Sequence, residues 1–374
     1  MWRQVVSCRP TQVMMMKLHT ASLNIIRSGQ ASSGAYVASP TFSQYGYSWL
    51  RDGSWTAYGM DNAGEHDSAR TFYQWVGQTL SGQEARFKTV LDKCALGISL
   101  DEGDYLPTRF TVAGQIDTQQ PWWNFQLDGY GAWLWGLAAH LDFTHDAALL
   151  ETVRPAIALT VQYLAALWQS ANYDCWEEYR DQIHTSTLAA LYGGLAVVCR
   201  LDPALVPAGL PETIRAYMLQ NCVAPDGYFV KSSASAAVDA SLLWVAVPYR
   251  VVEVDDPRFL ATLEKIEHDL HRPGGGVYRY IGDWYYGGGE WILLTAWLAW
   301  TYIELGRVDE ARQLMRWIEA QATPQGELPE QVSDHMLVSD RYAEWEEKWG
   351  QVACPLLWSH AMYLVVEARL EGQL

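Results

Sequence analysis

Residues 289–305 read GEWILLTAWLAWTYIEL. The segment from Trp291 to Trp300 is apolar on nearly every face, and a helix of that kind must be enclosed on all sides. Gly306 then breaks the pattern, and an acidic first turn opens an amphipathic helix over about 307–322. The same pairing recurs upstream, where TLAALYGGLAVV (187–198) precedes a more polar helix over about 209–223. Enclosed helices that alternate with one-faced helices describe two concentric layers.

Extended along the chain, helical periodicity predicts twelve helices: about 17–28, 52–63, 65–80, 124–142, 147–169, 184–201, 209–223, 238–250, 256–271, 289–305, 307–322 and 353–371, with a further short one over 84–96. Asp146 and Pro211–Glu212 mark helix starts. The connections alternate in length. Those after even-numbered helices are short (64, 143–146, 202–208, 251–255 and 306), whereas those after odd-numbered helices are long (29–51, 81–123, 170–183, 224–237, 272–288 and 323–352). Long connections in a compact domain are usually functional. Six hairpins with apolar even helices inside amphipathic odd ones make an all-α, (α/α)6 barrel, a six-hairpin toroid. We expect a single domain over 1–374, with 1–16 as an irregular extension.

In such a ring alternate connections share one rim. The Trp-, Gly- and carboxylate-rich stretches fall in those long connections: Tyr45–Asp52 (YGYSWLRD), Trp122–Gly129 (WWNFQLDG), Tyr173–Arg180 (YDCWEEYR), Arg279–Glu290 (RYIGDWYYGGGE) and Gly326–Val332 (GELPEQV). Their convergence on one pocket points to an enzyme.

Composition narrows the ligand. With 49% hydrophobic and 18% charged residues the chain can bury a large core. A net charge of -17, from 43 acidic against 26 basic residues, excludes nucleic acid and anionic membranes as partners, because both need clustered Lys and Arg. No run reaches the ~18 apolar residues of a membrane span. Six cysteines without CxxC spacing read as free thiols of a reducing compartment, so we expect a cytoplasmic protein. The N-terminus lacks a leader pattern, and Met14, Met15 or Met16 are alternative starts to Met1. The 19 Trp and 21 Tyr fit core filling, and equally aromatic platforms for sugar rings beside carboxylates for the hydroxyls.

Two acids stand out as an acid/base pair: Glu177 in Trp176–Glu177–Glu178, and Glu330 in GELPEQ. Glycosidic hydrolysis needs one carboxylic acid to protonate the leaving oxygen and one carboxylate acting from the other face. Any single pair of acids in so acidic a chain is ordinarily solvated surface, so the neighbours matter. Arg51–Asp52 offers a charged fork to sugar hydroxyls or, equally, an ion pair capping its helix. Trp122, Trp123, Gln126 and Asp128 form either a ring-stacking wall with hydroxyl ligands or the buried start of a helix. The Gly287–Gly289 turn lacks the ending and preceding strand of a phosphate loop. His268 and His271 read as surface residues, Asp61, Glu65 and Asp67 as helix-end charges, and Cys175 as a packing residue. No metal or cofactor is expected.

At these residues the chain resembles glycoside hydrolase family 15, which includes glucoamylases, glucodextranases, isomaltose-cleaving glucohydrolases and some trehalases. The likeness runs from about 25 to 370 through SGAYVASPTFSQYGYSWLRDGSW (33–55), NFQLDGYG (124–131), WEE (176–178), RYIGDWYYGGGEW (279–291), GELPEQ (326–331) and CPLLWSHA (354–361). It implies an (α/α)6 barrel and an inverting reaction that releases β-glucose from non-reducing ends. By motif position Glu177 would be the general acid, shielded by Trp176 and Trp122 so that it stays protonated, and Glu330 the ionised general base. Tyr45 would orient the water. Arg51, Asp52, Arg279 and Tyr280 would hold the terminal glucose, and Trp122 would stack beside it. Trp176, Glu178, Trp291 and Trp358 would line the subsites, with Glu178 the rival for the acid role. An inverting pair would lie roughly 6.5–9.5 Å apart.

Many relatives add a β-sandwich or a starch-binding module, which this chain lacks, so short α-1,6-linked glucosides such as isomaltose are expected before α-1,4 oligosaccharides and trehalose. A non-catalytic sugar-binding barrel is the alternative from another class, and a phosphorylase or lyase on the same barrel a third.

Overall fold

The computed structural model describes residues 12–372, with side chains from Lys17 onward. Its helices are α1 (Gln12–Ser28), α2 (Leu50–Asn62), α3 (His66–Ser81), α4 (Glu84–Ala95), α5 (Asp128–Thr144), α6 (Ala147–Leu167), α7 (Thr185–Leu201), α8 (Leu210–Asn221), α9 (Pro257–Asp269), α10 (Ile292–Glu304), α11 (Val308–Ala320), α12 (Tyr342–Trp349) and α13 (Leu357–Leu370).

Packing closes two rings. The inner one runs α2, α5, α7, a short 3-10 turn at Ala240–Val245, α10 and α13, and returns to α2. Outside it α1 packs on α13, α3 on α2, α6 on α5, α8 on α7, α9 on the 3-10 turn and α11 on α10. The expected (α/α)6 barrel is therefore the fold. The burial pattern follows the sequence logic: α10 is buried from Ile292 to Tyr302, whereas α11 buries only Ala311, Leu314, Met315, Ile318 and Glu319. Close approach of inner helices rests on glycine. A Cβ at Gly131 of α5 would stand 2.4 Å from the carbonyl oxygen of Ala190 on α7.

Three expectations need correction. The helix read over 238–250 shrinks to the Ala240–Val245 turn. Pro248 has no N–H to donate and its ring excludes the Trp244 carbonyl, while Asp239 ends the segment on the other side by accepting the Ser241 N–H. The extension read over 1–16 is helical from Gln12, and Cys8 lies outside the described residues. The last long connection holds the unforeseen α12.

Two short antiparallel ladders staple the long connections on one rim. β1 (Ser48–Trp49) pairs with β2 (Arg109–Phe110), and β3 (Glu290–Trp291) with β4 (Gln331–Val332). The first strand of each pair, β1 or β3, runs directly into an inner helix, α2 or α10. Four indoles from four inner elements then fill the barrel axis: Trp55 lies 5.8 Å from Trp244 and 6.2 Å from Trp358, and Trp297 lies 5.6 Å from Trp358, between ring centroids. No helix among the described residues is long and apolar enough to cross a membrane.

Candidate active site

Above that aromatic stack the stapled rim encloses about 250 Å³, lined by Tyr45, Trp49, Arg51, Asp52, Trp122, Trp123, Trp176, Glu177, Glu178, Arg279, Trp291, Glu330 and Trp358 among others. Trp358 belongs to both the stack and the lining, so the stack is the cavity floor. Of the residues singled out from the sequence for sugar binding, Gln126 and Asp128 are not on the wall, and neither is Tyr280. It is buried behind Glu178, to which its hydroxyl donates, and Lys231 Nζ stands 3.5 Å from its ring centroid.

Glu177 sits at the apex of a tight turn built by Asp174, one of whose carboxylate oxygens accepts the backbone N–H of Trp176 and of Glu178, each at 2.9 Å. Holding both neighbours on one acceptor forces Glu177 to φ +68°, a left-handed conformation rare for a side chain of this size. The turn sends Glu177 into the cavity while the indole of Trp176 anchors beneath it on Asp239, at 3.0 Å. Lys231 compensates the buried Asp239 carboxylate at 2.7 Å.

Around the Glu177 carboxylate stand three N–H donors: Trp49 Nε1 at 2.8 Å, Trp122 Nε1 at 2.6 Å and Gln126 Nε2 at 3.0 Å. This corrects the expected apolar cover by Trp176 and Trp122. Trp122 meets the carboxylate with its polar edge, and the polar edge of Trp176 turns to Asp239. Gln126 and Asp128 face inward rather than toward a sugar. Gln126 Oε1 and Asp128 Oδ2 accept from Arg51 Nη1 at 2.9 and 3.0 Å. Asp128 is fully buried.

Arg51 is thus committed to its neighbours, with Nη2 3.9 Å from Glu177. Its partner Asp52, at 3.5 Å, keeps one oxygen without a hydrogen bond. Burial pushes the Asp52 carboxyl up to about 6, against the pull of Arg51.

Glu330 also lines the cavity and is 4% exposed. Its Oε1 accepts the Tyr45 hydroxyl at 3.1 Å, and Tyr285 lies 2.9 Å behind Tyr45. Since Tyr45 has one proton and gives it to Glu330, Tyr285 must donate to Tyr45. Oε2 of Glu330 makes no hydrogen bond with the protein. Burial pushes this carboxyl up to about 8, with the Tyr45 hydroxyl the foremost opposing influence. A carboxylate this enclosed loses more hydration than one phenol restores.

Arg279 is held by Asp283 at 2.7 Å and reaches Glu178 at 3.4 Å, beneath the rings of Trp176, Tyr285 and Trp291. Glu178 is therefore paired with Arg279 and Tyr280, and burial raises its carboxyl. Gly288, at φ +68°, and Gly289, whose Cβ would meet the Val332 carbonyl oxygen at 2.2 Å, close the turn against the Glu330 segment, which accounts for that glycine run without a phosphate. Cys175 also lines the cavity, its thiol pushed well up by burial. The other described cysteines, Cys94, Cys199, Cys222 and Cys354, are free as well.

Several lining residues were given no role of their own from the sequence: Trp49, Trp284 and Tyr285, within the stretches read as converging, and Trp345 and Trp349, outside them. Trp49 carried a signal, since it immediately precedes Leu50-Arg51-Asp52. Trp345 and Trp349 carried none, lying on the eight-residue α12.

Among the described residues one group has metal-ligand spacing, Asp61, His66 and His140. It lies near the other end of α2 from Arg51, on the order of 15 Å away at 1.5 Å per residue. Both imidazoles approach Asp61 at hydrogen-bond distance, 2.8 and 2.9 Å. Asp61, in the last turn of α2, is a helix-end residue as read from the sequence, and a buried one. His271 departs from the surface reading: it bridges to Val277 past the end of α9, half-buried.

Comparison with known proteins agrees with this geometry. An isomaltose glucohydrolase of Kribbella flavida is 41% identical over 92% of this chain and 90% of its own length. A trehalase of Sulfolobus acidocaldarius is 31% identical over 56% of this chain and 37% of its own. A solved glycosidase superposes with a TM-score of 0.90 at 39% identity, covering 97% of this chain and 99% of its own, and one of its variants was solved in complex with glucose. A glucoamylase of Saccharomycopsis fibuligera, 16% identical with a TM-score of 0.74 over 97% and 95% of the two chains, shares the fold. The sequence profile of the glycosyl hydrolases family 15 matches residues 15–367, and the chain belongs to that family.

Proposed function

We propose that this barrel is one catalytic unit, an exo-acting, inverting α-glucoside hydrolase that releases β-glucose from the non-reducing end of short α-1,6-linked glucosides such as isomaltose. The observation that carries the reading is the placement of Glu177 and Glu330 in the wall of one cavity whose floor is closed by Trp358 and the indoles beneath it. A closed floor admits a chain end and stops a chain from passing through.

In this mechanism Glu177 gives its proton to the glycosidic oxygen as the bond to the anomeric carbon breaks. Glu330 takes a proton from a water whose oxygen bonds to that carbon from the opposite face, so the configuration inverts. The free Oε2 of Glu330 is the atom available to that water, while Oε1 is fixed by Tyr45. Glu178, already bound to Arg279 and Tyr280, suits sugar binding better than acid catalysis. We expect a carboxyl separation of roughly 6.5–9.5 Å when substrate is bound. Preference for the α-1,6 linkage is supported by the isomaltose glucohydrolase of Kribbella flavida. The free thiols favour a reducing compartment, the cytoplasm.

The test is turnover of isomaltose, panose, maltose and trehalose, with the anomer of the first glucose released read by NMR. The reading expects isomaltose to be fastest and β-glucose to appear first. Release of α-glucose would refute inversion, and faster cleavage of maltose or trehalose would refute the linkage.

A further inference from the structure

Arg109 is 5% exposed and forms no ion pair among the described residues, although it packs beside Trp122 and Trp49 of the barrel rim. Its guanidinium is sandwiched between two rings, 3.9 Å from the centroid of Tyr47 and 3.9 Å from that of Trp122, with Trp49 at 5.3 Å. Two backbone carbonyls complete its partners: Gln44 accepts at 2.9 Å and Gln120 at 3.3 Å. Those carbonyls flank the loops that deliver Trp49 and Trp122, and the β1–β2 ladder pairs Trp49 directly with Arg109. Arg109 itself is not on the cavity wall.

The two indoles it touches are the ones whose N–H groups meet Glu177, Trp49 on Oε1 and Trp122 on Oε2. They cross edge to face at 5.8 Å, so neither can tilt without moving the other. A planar, permanently charged guanidinium stacks on a ring face while its edge donates in plane, a combination an ammonium cannot reproduce. We propose that Arg109 is a positioning residue of this enzyme, acting through Trp49 and Trp122 to hold the Glu177 carboxyl at the leaving oxygen. The proposal rests on Glu177 being the general acid.

A substrate that needs no protonated leaving group separates this role from general loss of structure. In α-glucosyl fluoride the C1–F bond breaks to release fluoride while water adds at C1, so Glu177 has no proton to give. Arg109→Met and Arg109→Lys should each lose about tenfold to a hundredfold in kcat on isomaltose, with KM little changed, and about twofold or less on the fluoride. Equal losses on both substrates, or no loss on isomaltose, would overturn the proposal. Full recovery in Arg109→Lys would also overturn it, because charge without the planar stack would then suffice. Glu177→Gln, assayed alongside, isolates the underlying reading. If it is as impaired on the fluoride as on isomaltose, the acid assignment fails; if only the Arg109 variants are, the positioning role alone fails.

Discussion

Tyr45 spends its one hydroxyl proton on Glu330, at 3.1 Å, and receives another from Tyr285 at 2.9 Å. The candidate base is thus the end of a two-phenol chain in a buried wall, and its ionisation is the property most open to measurement.

With the carboxyl pushed up to about 8 by burial, the active ionised form is lost as pH falls through that region. The acid-side limb of kcat/KM should therefore lie well above the ordinary carboxylate range near 4.3. Tyr45→Phe removes the main opposing hydrogen bond, so the limb should move further toward alkaline pH. A pH–rate profile on both enzymes checks this, and a limb unchanged or shifted toward acid pH in the variant contradicts the assignment.

Replacing three glutamates one at a time should separate chemistry from binding. Glu177→Gln and Glu330→Gln are each expected to lower kcat by about 10²–10⁴-fold with the fold intact. Glu178→Gln should chiefly raise KM, since that residue is tied to Arg279 and Tyr280. Steady-state kinetics on isomaltose, with circular dichroism as the folding control, distinguishes them. A Glu178 variant as inactive as the other two would move the acid role.

The aromatic rim on α12 makes a different kind of prediction. Trp349 stacks 6.3 Å from Trp122, and Trp345 packs 5.2 Å from Trp284. Trp349→Ala should raise KM for isomaltose about tenfold while kcat changes about twofold or less, because the contact is made equally in ground and transition states. Initial rates over a substrate series report both numbers, and a fall confined to kcat would refute simple binding.

Stability has its own sensitive point where α5 meets α7. Gly131→Ala would push a methyl against the Ala190 carbonyl, 2.4 Å away, and backbone cannot yield as a side chain does. A loss of about 1–3 kcal/mol is expected by denaturant unfolding. Wild-type stability would mean the helices sit further apart.

Much of this protein was legible from order and period alone. Apolar segments such as Trp291–Trp300 can only be enclosed, and their alternation with one-faced helices forces two layers; both are local properties that survive without coordinates. The rim residues Glu177, Glu330, Arg51 and Trp122 stood out because they lie in connections on the same side and match the motifs of the resembled family. The helix read over 238–250 failed because Pro248 and Asp239 bound it too tightly for its apolar pattern to prevail.

What the tertiary structure alone decided is which atom faces which. That Trp122 meets Glu177 with its N–H, that Tyr280 stands behind Glu178, that Gln126 and Asp128 serve Arg51, and that burial raises the Glu330 carboxyl all depend on contacts between distant segments. Periodicity sets which face of a helix is buried. Hydrogen-bond direction and local hydration depend on neighbours brought together only when the ring closes.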